Sequence, residues 1–159
     1  MPGIYFHSLF GSRGWPEGVK ELGYPRAINR QKLRRVDLER ELADPASRRA
    51  RVFRQLAHLL RVRAGQEAFH PFGRQRILFL DSGVFAVLRT APDGRQRALC
   101  LHNVTPRERT VRLSLSQVDA ASGEAWRDLL ADRPLVPADP FTLSLAPYQT
   151  RWLGLPSGR

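Results

Sequence analysis

The sequence predicts an α+β chain, in which one apolar strand and a set of helices precede a small antiparallel all-β sandwich. Three observations predict it. Ile4-Tyr5-Phe6-His7-Ser8-Leu9-Phe10 is almost continuously apolar and aromatic, and Gly3 and Gly11 bound it. Phe53, Leu56, Ala57 and Leu60 then fall at i, i+3, i+4 and i+7, which makes one helical stripe. From Arg76 onward, short apolar runs alternate with turn residues. The 159 residues, 42% of them hydrophobic and three of them Trp, suffice for a packed core rather than a disordered tail.

The elements follow in order. A run as apolar as Ile4–Phe10 reads as a strand buried on both faces, the habit of parallel sheets. No neighbour for it lies nearby in sequence. Residues 12–34 carry Trp15, Pro16, Gly18, Gly23, Tyr24 and Pro25 and read as a long loop, a type more often functional than idle. A short helix is expected over Leu38–Leu42 with Asp37 as its N-cap. Asp44-Pro45 pairs a cap residue with proline at the first helical position, so a second helix is expected from there to about Arg63, ending at Gly65.

In the second part, strands are expected at Ile77–Leu80, Val84–Arg89, Arg97–Asn103, Thr110–Leu115, Ala125–Leu129, Phe141–Leu145 and Thr150–Leu153. Asp81-Ser82-Gly83 and Pro92-Asp93-Gly94 supply turn chemistry between them. The division between the two parts is placed at residues 67 and 68.

Charge and cysteine usage narrow the classes of function. No apolar run approaches the roughly 20 residues that a membrane-spanning helix needs, and no secretory signal is expected at the N-terminus. A lone cysteine, Cys100, points to a reducing cytoplasm. The formal net charge is +11, and of 26 cations only Lys20 and Lys32 are lysines. Residues 30–63 hold eleven cations and four acids. A nucleic-acid groove can look like that, but no aromatic residues interleave with the arginines as a base-stacking platform requires. A helix with a solvated basic face is the simpler reading, and no nucleic-acid partner is expected.

The chemistry-bearing residues form no catalytic set. His7, His58, His70 and His102 are scattered without metal-ligand spacing, so no metal site is expected. Cys100 and His102 share a strand face but lack an orienting group, which favours a buried structural cysteine. The glycines at 11, 14, 18 and 23 match no phosphate-binding fingerprint, and no cofactor is expected. The loop does gather His7, Ser8, Arg13, Trp15, Tyr24, Asn29 and Arg30, a mixture suited to a polyhydroxylated ligand. The alternative is a linker docked on neighbouring structure.

Pro2-Gly3-Ile4-Tyr5-Phe6-His7-Ser8-Leu9-Phe10-Gly11-Ser12-Arg13 resembles the eighth barrel strand of the α-amylase superfamily, glycoside hydrolase family 13. Ala27-Ile28-Asn29-Arg30 narrows the resemblance to its sucrose phosphorylase and glucosylglycerate phosphorylase branch. Residues 36–45 resemble the branch's final barrel helix, and residues 97–104 and 146–153 resemble its C-terminal β domain.

The resemblance implies that residues 1–67 are the last strand, loop and helices of a (β/α)8 barrel, and residues 68–159 the β domain. It implies a C-terminal fragment of a retaining α-glucoside phosphorylase, with an α-glucoside and inorganic phosphate as the whole enzyme's partners. The catalytic acids of the family would precede Met1, so no catalytic residue is expected here and the chain alone is expected to be inactive. Carried over, Arg30 and Asn29 would bind the glucosyl unit, while His7 and Ser8 would face the active-site mouth. Self-association through exposed barrel surface is a further expectation. The competing class is a free-standing basic β-sandwich module that binds carbohydrate or RNA.

Overall fold

The computed structural model describes residues 3–155. They divide into two compact units between Leu60 and Arg61. The order is α1 (Phe6–Leu9), α2 (Pro16–Leu22), a 3₁₀ turn (Pro25–Asn29), α3 (Arg35–Ala43) and α4 (Arg48–Ala64), then eight strands with two further 3₁₀ turns.

The expected strand at 4–10 is not formed, and this corrects the sequence reading. A strand needs a neighbour to pair its N–H and C=O groups, and none exists among the described residues of this unit. The run satisfies itself locally instead: the amide of Leu9 donates to the carbonyl of Tyr5 (3.0 Å) and that of Ser12 to His7 (2.8 Å). Tyr5 and Phe6 are consequently about half exposed.

Residues 12–34 are also better ordered than a loop. Pro16 and Pro25 each take the first position of a helical turn, and Gly23, at φ 71°, closes α2 in the left-handed conformation. Helix α3 starts two residues before Asp37, which lies in its first turn beside Arg40 (2.9 Å). Helix α4 starts at Arg48 rather than Pro45, because Asp44 Oδ1 accepts from the Ala46 amide in a turn and the Ser47 hydroxyl accepts from the Ala50 amide (3.0 Å). Serine 47 thus does the capping expected of Asp44. The stripe Phe53, Leu56, Ala57 and Leu60 is half-buried throughout.

The second unit is a two-layer antiparallel sandwich. One sheet has six strands, β1 (Arg74–Asp81), β2 (Val84–Thr90), β3 (Arg97–Asn103), β5 (Trp126–Asp128), β6 (Arg133–Leu135) and β8 (Thr150–Leu155), in the order β1-β2-β3-β8-β5-β6. The other pairs β4 (Arg109–Leu113) with β7 (Phe141–Leu145). Each strand turns alternate residues inward. Ala86 and Leu88 from β2, Leu99 and Leu101 from β3 and Leu153 from β8 meet Val111, Leu113 and Leu145 in one core around Trp126.

Strand β6 escaped the sequence reading because Pro134 argues against a strand. It lies on a sheet edge, the position proline tolerates. The run expected as Thr110–Leu115 ends at Leu113, where Ser114 opens a 3₁₀ turn with a reciprocal Gln117 cap.

Buried polar groups fasten the layers. Arg97, 4% exposed, donates to the carbonyls of Val118 (2.8 Å) and Asp119 (2.5 Å) at the end of that turn. Asn103 Nδ2 faces the carbonyls of Leu145 and Ala146 next to β7, while its Oδ1 accepts from the Thr105 amide. Asp128, 2% exposed, forms an ion pair with Arg151. The outer face of the six-stranded sheet is half covered: Ala68 and Phe69 pack on Ala98 and Cys100 beside Trp152. Ile77, Phe79 and Phe85 remain open.

Candidate functional site

The segment 12–34 of the N-terminal unit is held in shape by small contacts. The Trp15 amide donates to the carbonyl of Ile28 (2.8 Å), tying the two ends of the loop together. The Trp15 ring lies over Gly18, where an added Cβ would stand 2.0 Å from Cε3 of the indole, so only glycine permits this approach. Ala27 is fully buried and anchors the 3₁₀ turn that delivers Asn29 and Arg30 to the surface. The Tyr5 hydroxyl donates to the Asn29 carbonyl (2.5 Å).

Two concavities meet at Arg30. The smaller, about 270 Å³, is lined by Tyr5, Arg26, Asn29 and Arg30. The larger, about 610 Å³, is lined by Trp15, Leu22, Tyr24, Arg30, Gln31 and Lys32. Neither contains a carboxylate, so both present positive charge beside aromatic surface. A third hollow of about 440 Å³ is lined by Gln31 and Lys32 as well, together with Asp37, Arg40, Glu41 and Arg49. There the cations are answered, Arg40 by Asp37 (2.9 Å) and Arg49 by Glu41 (2.9 Å).

Of the four expected site residues, the structure brings two together. Asn29 and Arg30 line the same concavity. His7 sits in α1 with its Nδ1 2.9 Å from the Ser12 hydroxyl, which also accepts from Arg49 (2.7 Å). Ser8 is exposed on the same turn. Neither His7 nor Ser8 lines the two concavities that share Arg30. Sequence reading missed Lys32. Its signal was compositional, since it is one of only two lysines in a chain of 26 cations.

The other candidates are structural. Burial pushes the Cys100 thiol up to about 12, which leaves it un-ionised and unreactive. Burial also lowers His102, whose ring packs on Phe85 and whose Nδ1 is 3.2 Å from Thr150 Oγ1. Among the described residues no group of His, Cys, Asp or Glu could hold a metal ion. No helix of the described residues is long and apolar enough to cross a membrane.

Residues 81–153 match the family of the D-apionate lactonase C-terminal immunoglobulin-like domain, in keeping with the sandwich. The fold of nearly the whole chain recurs in the α-amylase from Geobacillus thermoleovorans, with a TM-score of 0.66 over 97% of this chain and 30% of that one at 18% identity. An Anoxybacillus α-amylase gives 0.61 over 83% of this chain and 26% of that one at 16% identity. Over those residues the chain shares the fold of a part of each of these α-amylases.

Its sequence relatives are more specific. It is 40% identical over 96% of its length to a glucosylglycerate phosphorylase of Spirochaeta thermophila, covering 27% of that protein. The corresponding values are 39%, 96% and 24% for Allomeiothermus silvanus, and 31%, 96% and 25% for Escherichia coli. The curated proteins that resemble this chain along nearly its whole length are thus glucosylglycerate phosphorylases. It spans about a quarter of their length.

Proposed function

We propose that this chain is the C-terminal part of a retaining α-glucoside phosphorylase that acts on a glucosylated hydroxy acid and inorganic phosphate in the cytoplasm. The observation that carries the proposal is the 40% identity to the Spirochaeta thermophila enzyme across 96% of the chain. On this reading Arg30 and Asn29 donate to glucosyl hydroxyls from the smaller concavity, a fitting use for a guanidinium and an amide with no acid beside them. Residues 1–67 would complete a (β/α)8 barrel. The half-exposed Tyr5 and Phe6 support this, because they leave apolar surface that further elements of a barrel would cover. Glucosyl transfer with retention needs two carboxyl groups flanking the scissile bond. Those would come from the upstream part of the polypeptide, so the chain alone has no turnover.

The test joins the upstream three quarters of the Spirochaeta thermophila enzyme to this chain and measures phosphate-dependent release of glucose 1-phosphate from glucosylglycerate. The fusion is expected to turn over and the isolated chain to be inert. Arg30→Ala in the fusion is expected to lose at least about tenfold in kcat/KM, the worth of one charge-assisted hydrogen bond. A folded but inert fusion, or turnover by the isolated chain, overturns the reading. Salt-dependent RNA binding by the chain would instead favour a free-standing basic module.

A further inference from the structure

We infer that the cleft of Trp15, Tyr24, Arg30 and Lys32 is the subsite for the carboxylate-bearing half of the substrate, with Lys32 as its selecting cation. The inference rests on the phosphorylase reading above and adds to it the residues that choose the acceptor.

Geometry comes first. At about 610 Å³ the cleft is within the range of small-molecule sites, which run from about 300 to 1,000 Å³. It shares Arg30 with the smaller concavity assigned to the glucosyl unit. Arg30 therefore stands on the ridge between two hollows, where the two halves of one glucoside would join.

Charge then sets the chemistry of the second half. Arg30 and Lys32 line this cleft and no carboxylate does. Neither cation belongs to an ion pair among the described residues, whereas Arg34, Arg35, Arg40 and Arg49 nearby all do. Two cations outside any ion pair, in a cleft with aromatic walls and no carboxylate in its lining, attract an anion that also has a carbon body. The indole of Trp15, the ring of Tyr24 and the Leu22 side chain offer that body apolar surface. A small hydroxy acid meets this description: its carboxylate faces Lys32, and its hydroxyl points back over the ridge toward the glucosyl unit. Lysine is a compact point charge without the bidentate fork of arginine, so Lys32→Arg should keep the attraction and change the fit.

Inorganic phosphate shares the anion chemistry, so the experiment separates the two. The isotopically labelled chain is titrated in NMR with millimolar glycerate, inorganic phosphate and glycerol, which is the carbon skeleton without a carboxylate. Glycerate is expected to move the Trp15 indole N–H and the amides of Tyr24, Gln31 and Lys32, and glycerol to leave them in place. Lys32→Met, at an exposed position where no core is disturbed, should weaken the glycerate shifts about tenfold, the effect of one charge-assisted contact. Arg112→Met, on the exposed face of β4, is the control for general charge and should not.

Absent glycerate shifts, equal shifts with glycerol, stronger shifts with phosphate, or an unaffected Lys32→Met variant each overturn the inference. The fusion enzyme keeps the two readings apart. If it is inert, the phosphorylase reading fails. If it is active and Lys32→Met leaves the KM for glycerate unmoved in the synthetic direction, only the acceptor subsite fails.

Discussion

In the β unit, fourteen buried side chains from Val84 to Leu155, Trp126 among them, close on one another. In the N-terminal unit, Ala27 and Ala50 are the only buried apolar side chains among the described residues. The difference lies in what each unit can pair with inside the chain. The β strands find antiparallel partners within a few tens of residues, so their backbone and inner faces are satisfied together. The N-terminal run has apolar side chains but no strand beside it, and its helices present half-buried stripes. Polar contacts do the work there instead: Arg49, 7% exposed, reaches Glu41, the Ser12 hydroxyl and the Phe10 carbonyl. One unit closes around an apolar core and the other is fastened by polar contacts at its surface.

The sharpest way to break this contrast is a pair of truncations. Leu101 is fully buried, and Leu101→Ala should cost about 2–5 kcal/mol in urea unfolding, through lost transfer energy and the cavity left behind. Phe53→Ala in α4 removes a larger side chain, stacked on Phe10 at 5.4 Å between centroids. It should nevertheless cost only about 1 kcal/mol, because Phe53 is half-buried and its loss opens no enclosed cavity. Equal costs would mean that the N-terminal unit has a core of its own.

A smaller effect tests the polar substitute for a core. Arg49→Met removes the guanidinium and leaves Glu41, 46% exposed, to water. The Phe10 carbonyl and the Ser12 hydroxyl lose a donor. We expect a loss of about 1–2 kcal/mol, below the cost of breaking a fully buried pair because Glu41 can be hydrated. Amide hydrogen exchange locates it: protection should fall in residues 9–12 and stay unchanged in β3 and β8. Even loss of protection across both units would show that Arg49 holds more than its own unit.

The same contrast explains which parts were legible in the sequence. Strands β3 and β7 are found at the expected bounds because alternation, turn residues and local partners all agree. Asp81-Ser82-Gly83 forms its turn for the same reason, with Asp81 Oδ1 accepting from the Gly83 amide (2.7 Å). The run Ile4–Phe10 does not form the expected strand because an apolar pattern does not itself supply a pairing partner, and none is found among the described residues of its unit. Within the candidate site, Asn29 and Arg30 were legible through a motif, and Trp15 and Tyr24 through composition. Lys32 was not, because a single cation in a basic stretch acquires meaning only when a cleft without acids is seen around it.

The smallest expected effect concerns the open half of the sheet's outer face. His102 lies there against Phe85, and burial lowers its pKa below the ordinary value near 6.5. A histidine lowered on folding is held neutral in the native state while the unfolded chain takes up a proton. Its contribution to stability is therefore fully present above about pH 6.5 and is lost as the pH falls through the lowered native value. Because the ring is only about half-buried, the loss should stay below about 1 kcal/mol after screening. The net charge of +11 adds its own pH dependence, so the measurement is a double difference. Unfolding free energies at pH 7 and pH 5 are compared between the parent chain and His102→Gln. The variant should lose less stability on acidification than the parent. If both lose the same, His102 is as well hydrated as in the unfolded chain, and the outer face is more open to water than its packing against Phe85 implies.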